Sequence, residues 1–369
     1  MLRSLTDDAV RGLRIRAHRL AGKRPSRAST AVAAVTAVPA QSTPAARLAV
    51  RCRAAGATAA SVDRACATGS LVRTWAMRGT LHMLAAADVR WVVGLHGPIF
   101  AAAGRRRRLQ LGLDDATCER ALSAIQATLS GSAPLTRAAL VARVVDDGVA
   151  EKLGTQAPAH LVAYAAMRGL ICRGPDLARD EPTYTLLDEW VPDGESRGED
   201  DALAELARRY LAGHAPAAER DLAAWSGLPA AAARRAFALI ADELTEVRLG
   251  GATAFAPSTM ELASPADTVV RLLGSFDPYL LGYRGRELAL DARYARRIQA
   301  GGGIIHPAVL VDGRVVGTWR LDRTGRTNTA ATIRVEPFDR LSRGVVDALE
   351  AEAADVGRFL GLPATMRIV

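Results

Sequence analysis

Hydrophobic and polar residues alternate on both sides of Arg78-Gly79, within the stretch Arg73–Leu84. Alternation with a period of two predicts two short strands joined by a tight turn. Helix-like segments precede this hairpin, and one of them opens at Thr43-Pro44 with a favourable N-cap residue and a proline in the first turn. Helices followed by a hairpin are typical of a winged-helix module. Arg78 and His82 on such a wing would be placed to contact DNA; the alternative is a hairpin that only packs a core.

The same order of elements recurs twice further along the chain. Helical patterns at 116–129, 137–146 and 158–168 are followed by β-like runs at 170–172 and 183–187. A more compact copy has helical patterns at 219–225 and 229–241 and a hairpin at 246–255. Three approximate copies of helix, turn, helix and hairpin indicate tandem winged helices.

The pattern changes to short β-like runs after residue 263. Asp312-Gly313 predicts a two-residue hairpin turn, and Thr324-Gly325 predicts another turn. A final helix over 341–360 carries its apolar residues on one face. We therefore predict an α+β fold, with about three winged-helix modules followed by a β-rich, barrel-like domain and a covering helix. The predicted boundaries are 1–100, 101–191, 202–258 and 264–369.

Charge favours a nucleic-acid partner. The formal net charge is +9, and all but two of the 48 basic side chains are arginines, the exceptions being Lys23 and Lys152. Arginine is the better bidentate ligand for phosphate. A GC-rich genome inflates arginine and alanine together, so codon bias is an alternative cause. The run Arg105–Arg108 is either a phosphate clamp or a solvated helix end.

Several classes of function lack support in the sequence. No apolar run is long enough to span a membrane, and the N-terminus does not have the pattern of a signal peptide, so we expect a cytoplasmic, nucleoid-associated protein. The four cysteines are far apart, which predicts free thiols and no metal site. Gly301-Gly302-Gly303 lacks the flanking elements of a nucleotide-binding loop and is interpreted as a turn. We expect no cofactor.

Two segments carry candidate chemistry. Gln41 lies in a turn just before the helix at Thr43, where free N–H groups can hold water or phosphate; it could position a water molecule or only cap the backbone. The second segment, 275–287, crowds polar and aromatic groups that suit either a DNA-binding groove or a structural turn. The candidate DNA contacts in this segment are Asp277, Tyr279, Tyr283, Arg284 and Arg286.

Three phrases resemble the AlkZ/YcaQ-like DNA glycosylases: LVRTWAMRGTLHML at 71–84, SFDPYLLGYRGRE at 275–287 and GGGIIHPAVLVDGRVVGTWRL at 301–321. The resemblance covers nearly the whole chain. It implies tandem winged helices and a β-rich C-terminal domain around a basic channel for duplex DNA. It implies excision of alkylated purines, and in some members the unhooking of interstrand crosslinks. It adds Arg314 and Arg320 to the expected DNA contacts.

The family's catalytic signature, Gln-x-Gln or Gln-x-Asp, matches Pro39-Ala40-Gln41. Only the second glutamine is present, and Ser42 stands where an acidic residue is common. Our leading hypothesis is a monomeric monofunctional glycosylase acting on N7- or N3-alkylated purines in duplex DNA, for repair or antibiotic self-resistance, with Gln41 positioning water. The alternatives are a DNA-binding protein that lost its activity through Pro39, and a protein-interaction module whose basicity reflects codon bias.

Overall fold

The protein has an α+β fold. The computed structural model describes residues 3–146, 154–191, 195–262, 267–324 and 329–369. The elements of the first part are β1 (Arg3–Leu5), α1 (Asp7–Ala17), α2 (Ala28–Ala33), β2 (Val38–Pro39), α3 (Thr43–Arg53), α4 (Ala59–Ala67), β3 (Leu71–Trp75) and β4 (Leu81–Ala85). The hairpin predicted around Arg78-Gly79 is therefore present as β3 and β4. Both residues of its turn have positive φ angles, 54° at Arg78 and 63° at Gly79.

The middle part is mostly helical. Its elements are α5 (Ala86–Ala103), α6 (Arg105–Gln110), α7 (Asp115–Leu129), β5 (Leu135–Thr136), α8 (Arg137–Asp146), α9 (Ala157–Met167), β6 (Ile171–Arg173), β7 (Thr183–Leu186) and α10 (Leu187–Trp190). The next segment contains α11 (Glu199–His214), α12 (Glu219–Ser226), α13 (Ala230–Ala238), β8 (Leu244–Leu249) and β9 (Ala252–Pro257). Gly227 ends α12 in the left-handed conformation that glycine adopts without strain.

The first two predicted wings are not separate. They belong to one six-stranded sheet with the order β2-β4-β3-β6-β7-β5. The antiparallel pairing of β3 with β6, at Arg73 and Arg173, joins the two hairpins. This sheet crosses the boundary predicted near residue 100. The third hairpin, β8–β9, is extended by β1, which pairs with β8 in parallel and was not predicted from the sequence.

The C-terminal part is β-rich, as predicted. It contains β10 (Val270–Leu273), α14 (Pro278–Leu281), α15 (Ala295–Ile298), β11 (Gln299–Gly301), β12 (Ile304–Ile305), β13 (Ala308–Val311), β14 (Arg314–Thr324), β15 (Ala330–Pro337), α16 (Arg343–Leu360) and β16 (Ala364–Ile368). Five strands form a sheet in the order β10-β13-β14-β15-β16, and the predicted covering helix is α16. Its buried residues Leu349, Ala353 and Val356 share a core with Trp319.

Two predicted features lie partly outside the described residues. The turn predicted at Thr324-Gly325 includes Gly325, and the linker predicted over 192–201 includes residues 192–194. The turn at Asp312-Gly313 is present between β13 and β14, with both residues at positive φ.

Candidate active site

Gln41 is exposed in a short turn between β2 and α3. The turn is held on one side by β4: Pro39 pairs with His82, and the N–H of Ala40 donates to the carbonyl oxygen of Leu81 at 2.9 Å. On the other side Ser42, rather than Thr43, caps α3 by accepting from the N–H of Ala45 at 3.4 Å. Gln41 therefore presents its amide to solvent beside the positive end of an eleven-residue helix.

Helix α3 is anchored by three arginines on its own length. Arg47 forms ion pairs with Asp63 at 2.6 Å and with Asp180, in the loop between β6 and β7, at 2.8 Å. Arg51 pairs with Glu352 of α16 at 3.0 Å and with Asp355 of α16 at 2.7 Å.

Arg53 makes the most deeply buried of these contacts. It donates to both carboxylate oxygens of Asp277, at 2.9 and 2.7 Å, with both side chains fully buried. Burial alone would lower the pKa of Arg53, but the Asp277 charge and hydrogen bonds outweigh it and raise this pKa. The helix behind Gln41 is thus fixed to parts of the chain more than 200 residues away.

His82 is buried, which differs from the exposed wing position expected for a DNA contact. The pairing of β4 with both β2 and β3 places it inside the sheet. Its Nδ1 lies 2.9 Å from the carbonyl oxygen of Thr80. Burial, followed by the nearby Arg78 charge, lowers the pKa of His82 to about 3, so the ring is neutral near pH 7.

The charge of Arg286 acts on Arg78 although 208 positions separate the two residues in sequence. Arg78 donates to the carbonyl oxygen of Trp225, and Arg286 donates to that of Leu280 at 2.6 Å. Burial lowers the pKa of both guanidiniums, the Arg286 charge lowers that of Arg78 further, and Glu287 partly offsets the effect at Arg286. Among the described residues neither forms an ion pair. Two half-buried cations that repel each other would be stabilised by an anion such as phosphate.

Asp277, Tyr279 and Tyr283 are buried, as in the structural turn that the sequence left open beside a DNA-binding groove, although Tyr283 also lines a cleft together with Arg284. Asp277 binds Arg53 and caps α14 by accepting from the N–H of Tyr279 at 2.9 Å. The Tyr279 hydroxyl donates to the carbonyl oxygen of Gly313 at 2.8 Å, and the Tyr283 hydroxyl donates to that of His214 at 2.9 Å. Each polar tip therefore has a partner inside the protein, which is why these residues can be buried.

Comparisons with known proteins show the family of this chain. The profile of the family described as "DNA glycosylase AlkZ-like" matches residues 32–359. The chain belongs to the AlkZ-like DNA glycosylase family. An interstrand DNA cross-link repair glycosylase of Streptomyces sahachiroi is 32% identical over 351 residues, which cover 91% of each chain. The solved structure of the Streptomyces sahachiroi DNA glycosylase AlkZ is similar with a TM-score of 0.86 and 30% identity, over 99% of this chain and 100% of that one.

Membership in the AlkZ-like family implies that DNA is the substrate. The remaining predicted contacts, Arg284, Arg314 and Arg320, are all exposed. Arg284 lines a cleft of about 470 Å³ together with Arg220. Arg320 lies 3.5 Å from Asp322 and lines another cleft, of about 400 Å³, on the C-terminal sheet. These positions are compatible with contacts to phosphate, which stay predictions.

The run of four arginines in this AlkZ-like protein is divided between two roles. Arg105 pairs with Asp115 at 2.7 Å on the surface, and Arg106 is exposed. Arg108 is buried, donates to the carbonyl oxygen of Ala101 at 2.7 Å, and lies over the ring of Tyr164 at 4.1 Å. Arg108 therefore stabilises the junction of α5, α6 and α9 and is not available to DNA.

Sequence reasoning missed His96 and Thr74. His96 is fully buried on α5, one helical turn after Val92, whose side chain shares a core with Leu84 of β4, and its charge would lower the pKa of His82. Thr74 lies directly opposite His82 on β3. The available indication was a histidine in the mostly apolar second half of the helix 86–103. The candidate site thus has a buried polar layer behind the Gln41 turn.

The thiol prediction for this AlkZ-like chain is confirmed, since Cys52, Cys66, Cys118 and Cys172 are buried and free. Burial raises the pKa of Cys66 to about 11, which makes it a poor nucleophile. Within the described residues no group of three potential metal ligands occurs. No helix in the same part of the chain has the length and hydrophobicity needed to cross a membrane.

Proposed function

We propose that this protein hydrolyses the N-glycosidic bond of purines alkylated at N7 or N3 in duplex DNA, and that it acts as a monomer in repair or self-resistance. The observation that carries the proposal is the exposed amide of Gln41, on a turn bound to β4 and at the start of a helix anchored by buried arginines. Such anchoring holds a small polar group in one orientation, as positioning of a nucleophile requires.

The DNA backbone would bind at the arginine pair. Arg78 and Arg286 are fixed through carbonyl oxygens and form no ion pair among the described residues, and only Glu287 partly compensates the charge of Arg286. His82 connects this pair to the Gln41 turn, because it pairs with Pro39 on β2 and the charge of Arg78 lowers its pKa. A phosphate held here would place the duplex against the turn.

Alkylation at N7 or N3 gives the purine a positive charge and makes it a good leaving group. The bond between C1′ and the purine nitrogen breaks, its electron pair neutralises the purine, and an oxocarbenium-like sugar forms. The Gln41 carbonyl oxygen accepts a hydrogen bond from water and directs the water oxygen to C1′. As the new C–O bond forms, the water releases a proton to solvent, because an amide is a poor base.

The test is release of N7-methylguanine from duplex DNA under single-turnover conditions. We expect release by the wild type and a loss of roughly a hundredfold or more in Gln41→Ala, on the scale of losing one positioned polar group at an active site. Gln126→Ala is the matched control, because Gln126 is exposed on α7. Equal release by Gln41→Ala and wild type would disprove the role of Gln41.

The named relative repairs interstrand crosslinks, which suggests bulky adducts as a second substrate class for this chain. A duplex joined by a crosslink between two N7 positions tests this. Unhooking of that duplex without release of N7-methylguanine would narrow the function to bulky lesions.

The competing function is a non-catalytic lesion binder, and the observation that favours it is Pro39. A proline side chain has no donor or acceptor, so the turn carries one polar side chain fewer than the family signature. Tight, salt-sensitive binding to both duplexes with no base release from either would support this alternative.

A further inference from the structure

Three buried polar atoms behind the Gln41 turn have no hydrogen-bond partner among the described residues. They are the hydroxyl oxygen of Thr74 and the Nε2 atoms of His82 and His96. Each of these side chains has 0–1% of its surface exposed. Buried polar atoms in native proteins are almost always hydrogen-bonded, to protein or to ordered water, so each unpaired atom requires an explanation.

The strand register brings these atoms to one place. Thr74 on β3 and Pro39 on β2 both lie directly opposite His82 on β4. Residues opposite each other on antiparallel strands extend their side chains to the same face of the sheet. That face packs on α5, because Val72, Leu84 and Val92 share one core. His96 follows Val92 by one turn of α5, so it lies on the helix face that packs on this sheet, where it is fully buried and lowers the pKa of His82.

The protonation of the two rings follows from their other contacts. Nδ1 of His82 lies 2.9 Å from the carbonyl oxygen of Thr80, and Nδ1 of His96 lies 2.9 Å from that of Val92. A carbonyl oxygen only accepts, so each Nδ1 carries the hydrogen and each Nε2 carries a lone pair. Burial lowers the pKa of His82 to about 3 and that of His96 to about 4, which agrees with neutral rings.

We propose that Thr74, His82 and His96 form a buried water site behind the Gln41 turn. Two acceptors and one hydroxyl match a single water molecule. The water donates one hydrogen to each Nε2 and accepts the hydrogen of the Thr74 hydroxyl. Three polar partners are the usual number for a buried water. Neither ring can donate from Nε2 to the other, so direct contact between them leaves both lone pairs unsatisfied.

The water site also makes Thr74 and His82 positioning residues for the turn. Pro39 lies in the same cross-strand row as Thr74 and His82, two residues before Gln41. A water that fixes His82 from behind keeps β4 and β2 in register, and with them the orientation of Gln41. This second step rests on the proposed function, whereas the existence of the water site does not.

The experiment is NMR on protein labelled with ¹⁵N only in its histidines, of which the chain has six. The variants are Thr74→Val, which removes the hydroxyl and keeps the shape, and Thr74→Ser, which restores it. In wild type and Thr74→Ser we expect ring signals of His82 and His96 protonated at Nδ1, with Nε2 shifts of a hydrogen-bonded acceptor. We also expect magnetisation transfer from a long-lived water to these rings. In Thr74→Val the transfer should be lost or strongly reduced.

Rings protonated at Nε2, or no transfer from water in the wild type, would overturn the water site whether or not the protein releases any base. The positioning role is tested by single-turnover base release. We expect Thr74→Val to be several-fold slower with unchanged affinity for DNA, and Thr74→Ser to recover the rate. Loss of the water from Thr74→Val with an unchanged rate would overturn the positioning role and leave the water site standing.

Discussion

Arg53 and Asp277 form a bidentate ion pair with no solvent exposure of either side chain, between the helix that follows Gln41 and the N-terminus of α14. Removing one partner of a buried pair leaves an uncompensated charge in the interior. Asp277→Asn keeps the shape and removes the charge. We expect it to lower the free energy of unfolding by about 3–5 kcal/mol, measured by urea denaturation at neutral pH.

The matched control is Asp200→Asn. Asp200 pairs with Arg235 at 2.7 Å, and both side chains are about half exposed. Solvent screens such pairs, so this change should cost less than about 1 kcal/mol. Similar losses in the two variants would contradict the structural role assigned to Asp277.

Pro39→Gln should increase activity. The side chain at position 39 lies opposite His82 on the same face of the sheet, so a glutamine amide there can replace the proposed water as the donor to Nε2 of His82. We expect a rate of base release higher by roughly tenfold, equivalent to about 1.4 kcal/mol in the barrier. Pro39→Ala, which removes the ring without adding an amide, is the control. A slower Pro39→Gln enzyme would show that the proline is required by this turn.

DNA affinity should depend on salt through Arg78 and Arg286. If each contacts a phosphate, Arg78→Gln and Arg286→Gln should each lower the slope of log affinity against log salt concentration by about 0.9. Fluorescence anisotropy with an undamaged duplex measures this slope. Arg168→Gln, which removes an exposed arginine paired with Glu119, should leave it unchanged. If the slope of log affinity against log salt concentration is the same in all variants as in the wild type, the DNA backbone binds at other residues.

Acid should destabilise the protein well above the pKa of its carboxylates. Four of the six histidines, His18, His82, His96 and His214, are fully buried, and burial lowers the pKa of each below 6.5. Above pH 6.5 these rings are neutral in both the folded and the unfolded state, so they do not make the free energy of unfolding depend on pH. Below pH 6.5 the unfolded chain binds protons that the folded chain does not.

The free energy of unfolding should therefore fall as pH falls from about 6.5 towards 4, by up to about 1.4 kcal/mol per pH unit for each histidine. Urea denaturation at several values in this range measures the slope. His306→Gln, at an exposed histidine, should not change it. A free energy of unfolding that stays constant over this pH range would contradict the conclusion that the four buried histidine rings are neutral.

Sequence patterns predicted the local elements well and the long-range pairings poorly. The hairpin around Arg78-Gly79 and the helix α16 follow from alternation and from a one-sided apolar face, which are local properties. The pairing of β3 with β6 has no local pattern, because each strand is already a plausible member of its own hairpin. Strand β1 has three residues, which are too few for an alternation of hydrophobic and polar positions to be recognised.

The same distinction applies to the site. The exposed position of Gln41 in a turn before a helix follows from its neighbours in sequence. The proximity of Arg78 to Arg286 depends on tertiary packing. Tyrosine and aspartate suit a groove or a core equally, since each can be buried when its polar atoms find partners. Tyr283 and Asp277 find them at His214 and Arg53, which no spacing in the sequence reveals.

The six-stranded sheet limits how far the first half of the protein can change shape when it binds DNA. The wing of an isolated winged helix can move against its neighbours, but here the first two hairpins share backbone hydrogen bonds. The ion pairs of Arg73 with Asp176 and of Arg47 with Asp180 tie the same junction together. A hinge between residues 85 and 170 would have to break all of these contacts at once. The first half of the protein is therefore one preformed body, and in the proposed complex any adjustment of shape at this contact occurs in the DNA.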